Sequence, residues 1–464
     1  LVAAAARRYD SAKPGKSAKG PMTIPARAVA TTALLLLWPA LFNGAPLIFS
    51  DTLDFPAMML DPGGRPIRAL GYGAFAGLPA LLTGSFWPVV VMQALLTAWV
   101  VHAVLVTVMP ALPLRLHALA GVAIAALTSA GWAASYVMPD ALTAPGLLAL
   151  LLMLGAARGA RLAMAAALVA LAAASHLTHV AMLLAATGAV AALRLAPWRR
   201  AVLAAAFVLT GAGAVIGANR LLSGHAEYVR GGEVFLAARL AGDGLLQRVL
   251  AARCPDPALP LLCAALPVMQ RDADEFLWEG QSPLRPGGDF FAASAEMRIA
   301  NAATIAAFWP DWVAASLARA ARQALSVRAG DGLEQELMRI FAPRLAPLLG
   351  DGAARAALAS RQLREELAGH PLTLVPVPAA LLGLALAPLL LVLRRPARLL
   401  LTVVLAGYLA NALAIGFGGS VHPRYAARLA WLLPLAAGAA LAGTRFGAAA
   451  EGPQRGLHKA AILP

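Results

Sequence analysis

The chain has 464 residues, of which 60% are apolar and only 13% charged. Soluble domains carry roughly a quarter charged residues, so a soluble globular enzyme, a disordered chain and a disulfide-dense scaffold are excluded, and a polytopic helical membrane protein is left. The net charge of +15 belongs to the hydrophobic part: residues 219–371 hold 16 Arg against 17 acids, while the rest holds 22 Lys or Arg against six acids. Such charge marks short basic loops that orient helices, not a nucleic-acid surface.

Residues 1–27 are polar and basic and read as a disordered cytoplasmic tail, with the first Met at position 22. The apolar run from about Val29 has no small-residue cleavage pattern, so it reads as a retained first span. A span needs about 20 mostly apolar residues. The runs that qualify are 28–48, 85–109, 116–137, 199–218, 372–393, 398–417 and 425–443. The stretch 141–194 is cut by ARGAR (157–161) and SHLTH (175–179) into three short spans near 141–156, 161–175 and 177–194. The expectation is an all-α polytopic membrane protein of about ten transmembrane helices. Seven spans and the first outer loop fill a core over 28–218. A mostly helical extracytoplasmic domain over 219–371 is inserted before the last three spans (372–443), and 444–464 is a cytoplasmic tail.

The basic residues test this count. With the N-terminus inside, 18 of the 22 basic residues outside 219–371 fall on the cytoplasmic side; the exceptions are Arg65, Arg68, Arg424 and Arg428. Of the six acids there, Asp10 and Glu451 lie in the tails, and Asp51, Asp54, Asp61 and Asp140 all fall outside. Polar residues at membrane depth are costly and usually have a role, so the outer face is expected to hold a polar reaction site.

The first outer loop opens with Asp51, and Asp54 follows at i+3, so one helical turn puts both carboxylates on one face. Close like charges raise one pKa, as a general base or acid requires; an N-cap made by Ser50, Asp51 or Thr52 is the plainer alternative. Arg65 and Arg68 open an apolar, Gly- and Pro-broken stretch to residue 85 that reads as interfacial or re-entrant. Asp140 follows Pro139 and heads the next span, where it serves either as a cap or in the pocket. His176 and His179, at i and i+3, suit either a polar cavity or a shared metal. Within the insertion, Phe291–Ala307 and Trp312–Ser326 are expected helices broken at Pro310, with two more over Leu333–Leu349 and Ala353–Leu367. The chain from 254 to 290 reads as loop, and Cys254 and Cys263 are expected to form a disulfide in an oxidising periplasm. Near the end, His422 and Arg424 sit at the membrane boundary, and Arg428 lies one turn on, so the two guanidiniums suit a phosphate clamp; snorkelling to lipid headgroups is the plainer alternative, and it fits Arg424 better than Arg428.

At these residues the chain resembles the GT-C superfamily of integral-membrane glycosyltransferases, which includes aminoarabinose and protein mannosyl transferases. The resemblance rests on Ser50-Asp51-Thr52 just after the first span, on Met138-Pro139-Asp140 in the second outer loop, and on His422-Pro423-Arg424-Tyr425 before the final span. It covers roughly 28–218 and 372–443. It departs from the family in its non-adjacent first-loop acids and in its insertion between the seventh and eighth spans. The resemblance implies transfer of a sugar from a polyprenyl-phosphate donor to a glycan, lipid or protein acceptor at the outer face of a bacterial inner membrane. Asp51 would be the base, with Asp54 second. Arg424 and Arg428 would face the departing phosphate, and His422, Tyr425, Asp140, His176, Arg65 and Arg68 would line the substrate. No cofactor is called for, and the separated acids give a divalent metal no support. The rival readings are a lipid or glycan transporter or flippase, a lipid-linked glycan polymerase or ligase, and a non-catalytic assembly subunit.

Overall fold

A computed structural model describes residues 23–62, 67–155, 157–278, 284–334 and 342–446. The regular structure of these residues is helical, and the β-like pairing among them is a single bridge between Leu47 and Tyr136. The apolar helices run in the order α1 (Ala26–Asn43), α2 (Leu70–Thr83), α3 (Trp87–Val108), α4 (Leu114–Leu127), α5 (Pro139–Leu154), α6 (Gly159–Ser175), α7 (Leu177–Ala192) and α8 (Trp198–Ser223). A polar insertion follows and contains the long helix α9 (Ser294–Leu325). Then come α10 (Pro371–Leu393), α11 (Arg395–Gly418) and α12 (Pro423–Gly443).

Six of these, α1, α3, α8, α10, α11 and α12, are long and apolar enough to cross a membrane, which makes the chain a multi-pass membrane protein. They fall on six of the expected runs. The other four runs form shorter helices. The run 116–137 is two helices rather than one: α4 stops at Leu127, and Ala130–Ser135 is a separate short helix. The break is made by hydroxyls that compete with the helical ladder. Thr128 Oγ1 donates back to Ile124 O at 2.5 Å, and Ser129 Oγ donates to Ala427 O of α12. At 1.5 Å per residue, α4 is about 21 Å long.

Burial sets one of the short helices, α5, apart. Every residue from Thr143 to Leu154 in α5 is buried, so this helix is the axis of the bundle, apolar all round because protein surrounds it. Elsewhere small residues let backbones close in. A Cβ on Gly211 of α8 would stand 2.2 Å from Ala170 O of α6, and one on Gly383 of α10 would stand 2.5 Å from Pro434 N of α12.

The insertion divides between a core of its own and that of the bundle. Val234, Leu246, Leu262, Phe276 and Met297 pack together over 232–300. Val327, Leu345, Leu349, Leu363 and Leu367 instead join the core of the membrane bundle. Cys254 and Cys263 form the expected disulfide, which closes a loop on the first core. The expected break near Pro310 is present: α9 is two helical segments that meet at a kink at Phe308, where φ is −131° and ψ 31°; proline removes a ladder hydrogen bond and clashes with the preceding turn. The expected helix Ala353–Leu367 ends at Leu358. Beyond it the backbone leaves the ladder: Arg361 N and Gln362 N donate to Asn43 at the end of α1.

Candidate functional site

The first charged loop is set by hydrogen bonds that begin at the end of α1. Gly44 takes the left-handed conformation there (φ 84°), and an extended stretch follows. Leu47 N donates to Ser135 O at 3.0 Å, and Val137 N donates to Leu47 O at 2.9 Å. Thr52 Oγ1 accepts from Phe49 N at 2.8 Å and donates to Val137 O at 3.0 Å. Thr52 thus does the capping in the S-D-T turn, and Asp51 is left for side-chain contacts. Arg68 Nη2 lies 2.5 Å from Asp51 Oδ1, and Arg68 Nε lies 3.5 Å from Asp54 Oδ2. The two carboxylates share a face, as their spacing predicts, with a guanidinium between them.

The second charged loop joins α11 to α12. The Arg424 guanidinium lies 3.9 Å over the Phe49 ring and donates to Tyr425 Oη at 3.0 Å. It is 4.0 Å from Asp331. His422 stands between two carboxylates of the insertion, with Nε2 at 3.4 Å from Asp274 and Nδ1 at 3.6 Å from Asp331. The hydrogen bond from His422 is the main reason that the Asp274 carboxyl is held below its ordinary range.

Asp51, Asp54, Arg68, His422, Arg424 and Tyr425 line one cavity of about 1070 Å³, closed on its other side by Arg239, Asp274 and Trp278 of the insertion. Residues from three distant parts of the chain therefore meet at one end of the helix bundle. The wall is charged and partly aromatic, which suits a ligand with an anionic group and a polar ring.

Three expected site residues, Arg428, Asp140 and His176, do not line this cavity. Arg428, 1% exposed, donates to Asp140 Oδ1 at 3.0 Å, to Asn411 Oδ1 at 2.6 Å and to Thr178 Oγ1 at 3.0 Å. With Arg424 and Asp140 it borders a separate cavity of about 30 Å³, room for about two waters. Arg424 and Arg428 thus both border the small cavity, but Arg428 is held by Asp140, Asn411 and Thr178, and of the two only Arg424 also lines the large one. The helical turn does bring the two together, but buried Asp140 draws Arg428 into the bundle. His176 is tied to the same cluster. Its Nδ1 accepts from Thr178 N at 3.2 Å and from Thr178 Oγ1 at 2.8 Å. His179 uses both ring nitrogens within the protein, on Thr143 Oγ1 at 2.7 Å and Ala172 O at 2.9 Å. Among the described residues no group of three or more His, Cys, Asp or Glu is placed to hold one. Arg65 lies outside the described residues.

Asp274, Asp331 and Asn411 were missed from sequence. Asn411 is the amide within an apolar run, a signal of intramembrane polarity. Asp331 sits between Gly330 and Gly332, both at positive φ, which marks a tight turn.

Comparison with protein-family models finds no match, and neither curated proteins nor solved structures match the chain. By fold and site it is a helical multi-pass membrane protein with a charged cavity where one end of its bundle meets a polar insertion.

Proposed function

We propose that the chain is a GT-C-type glycosyltransferase that moves a sugar from a polyprenyl-phosphate donor to an acceptor at the periplasmic face of a bacterial inner membrane. The observation that carries this reading is that Asp51 and Arg424 line one cavity. The acceptor hydroxyl attacks the anomeric carbon and gives its proton to Asp51. The bond from that carbon to the phosphate oxygen breaks, and its electron pair stays with the phosphate. Arg424 faces the charge that builds there. Arg68 holds Asp51 in place, and Asp54 is the second acid. Arg428 and Asp140 act behind the wall, fixing α12 against α5. In this reading α4 to α7 also count as spans, which gives ten, with both termini cytoplasmic. The distribution of basic residues supports that topology.

The test uses membranes that hold the native acceptor, supplied with a radiolabelled polyprenyl-phosphate sugar. Asp51→Asn is expected to abolish label transfer while protein level and melting hold, and Arg424→Gln to cut it strongly. Full transfer by Asp51→Asn sinks the proposal. Movement of intact donor across the membrane, with no transfer, favours a flippase instead.

A further inference from the structure

Among the described residues the buried glutamines are Gln93 and Gln323, both 0% exposed, and Gln362, 1% exposed. Gln323 and Gln362 spend their amides on the backbone of the two loops that carry the charged groups of the site, and Gln93 ties Tyr72 to the backbone just before Asp140, behind the wall. Gln362 Oε1 accepts from Ile48 N at 3.1 Å, and its Nε2 donates to Ile48 O at 2.6 Å. Gln323 Oε1 accepts from His422 N at 3.0 Å, and its Nε2 donates to His422 O at 2.8 Å. Gln93 Nε2 donates to Ala134 O at 2.9 Å and Tyr136 O at 2.8 Å, while its Oε1 accepts from Tyr72 Oη at 2.6 Å. A carboxamide carries the same donor and acceptor as a peptide group, so it pairs with one residue's N–H and C=O as a neighbouring strand would.

Each clamp falls close before a charged residue: Ile48 before Asp51, Tyr136 before Asp140, and His422 before Arg424. Each glutamine also comes from outside the loop it holds. Gln93 is in α3, Gln323 in α9 and Gln362 in the stretch after Leu358. An apolar side chain at these buried positions would leave the loop's polar backbone groups without partners, which chains avoid.

We infer that Gln93, Gln323 and Gln362 are positioning residues that fix the three loops against one another, and that the insertion completes the site by supplying two of them. This rests on the reading of Asp51 and Arg424 as the reacting pair. The two clamps from the insertion mean that the bundle alone does not fix the cavity.

The experiment uses the full chain in nanodiscs, with hydrogen exchange of the segments 45–53 and 419–426 beside label transfer. Gln362→Leu is expected to speed exchange of the first segment about tenfold, the equivalent of two modest hydrogen bonds, with the second segment and the bundle core unchanged. Gln323→Leu is expected to do the reverse. Both are expected to lose most transfer per folded molecule. Gln323→Glu and Gln362→Glu serve if a Leu variant does not fold. An ionised Glu keeps the acceptor but cannot donate, so both effects should reverse as the pH is lowered and the carboxyl regains its proton. Unchanged exchange at the released loop overturns the inference, as does a uniform rise across the bundle, or a loosened loop with full transfer. Asp51→Asn separates the two readings: it should keep wild-type exchange in both segments. If it also keeps full transfer, the glycosyltransferase reading falls, and the exchange result alone decides the clamps.

Discussion

Arg428 donates to Asp140 Oδ1 at 3.0 Å inside the bundle, with 1% and 8% of the side chains exposed. Breaking a buried pair from one side leaves a charge without compensation and costs about 3–5 kcal/mol. Arg428→Met and Asp140→Leu are each expected to lower the melting temperature of the solubilised protein sharply. The double replacement should cost less than the sum, because it strands no charge. Simple additivity in unfolding experiments would refute the coupling.

Asp274 and His422 give a pH dependence with a definite sign. The Asp274 carboxyl is held below its ordinary value, chiefly by the hydrogen bond with His422. A depressed carboxyl contributes stability that is present above its unfolded-state pKa and is lost as the pH falls through its folded-state pKa. The contact between the insertion and the loop before α12 should therefore persist at neutral pH and loosen in acid, roughly below pH 4. His422→Asn should move that acid loosening to higher pH, as read by exchange of segment 419–426. An unmoved midpoint would show that His422 is not the cause.

The disulfide between Cys254 and Cys263 closes a short loop on the 232–300 core. Constraining the unfolded chain in this way is worth about 2–3 kcal/mol. Cys254→Ser with Cys263→Ser should make residues 232–300 more sensitive to protease and leave the membrane helices intact. Equal digestion with and without the bond would argue against this role.

Along α8, three glycines should behave in two ways. A Cβ on Gly211 meets Ala170 O at 2.2 Å, whereas at Gly213 and Gly217 it meets nothing within 4 Å. Gly211→Ala must push two backbones apart and is expected to destabilise by about 1–3 kcal/mol. Gly213→Ala and Gly217→Ala are expected to be neutral or stabilising by up to about 1 kcal/mol. Thermal unfolding of the three variants side by side checks this.

Much of the helical body was legible because long apolar runs have one stable state in a bilayer, with every backbone group bonded within its own helix. The run 116–137 was misjudged where Thr128 and Ser129 divert hydrogen bonds to Ile124 and Ala427. Ala427 lies far along the chain, so no local pattern announces that contact. In the site, the pairing of Asp51 with Asp54 followed from spacing, and the disulfide from the two cysteines. The separation of Arg424 from Arg428 did not. Both sit on one helical turn, and their difference comes from Asp140, Thr178 and Asn411, contributed by α5, α7 and α11.

Composition and charge by themselves determined that this chain is a set of apolar helices interrupted by a near-neutral polar insertion that holds most of its acids, because burial in hydrocarbon depends on the residues of each segment alone. Only the tertiary structure decided which of those charges share a cavity and which neutralise one another inside the bundle. A short-range hydrogen bond or ion pair depends on ångström distances between segments hundreds of residues apart, and those distances are set by how the helices pack.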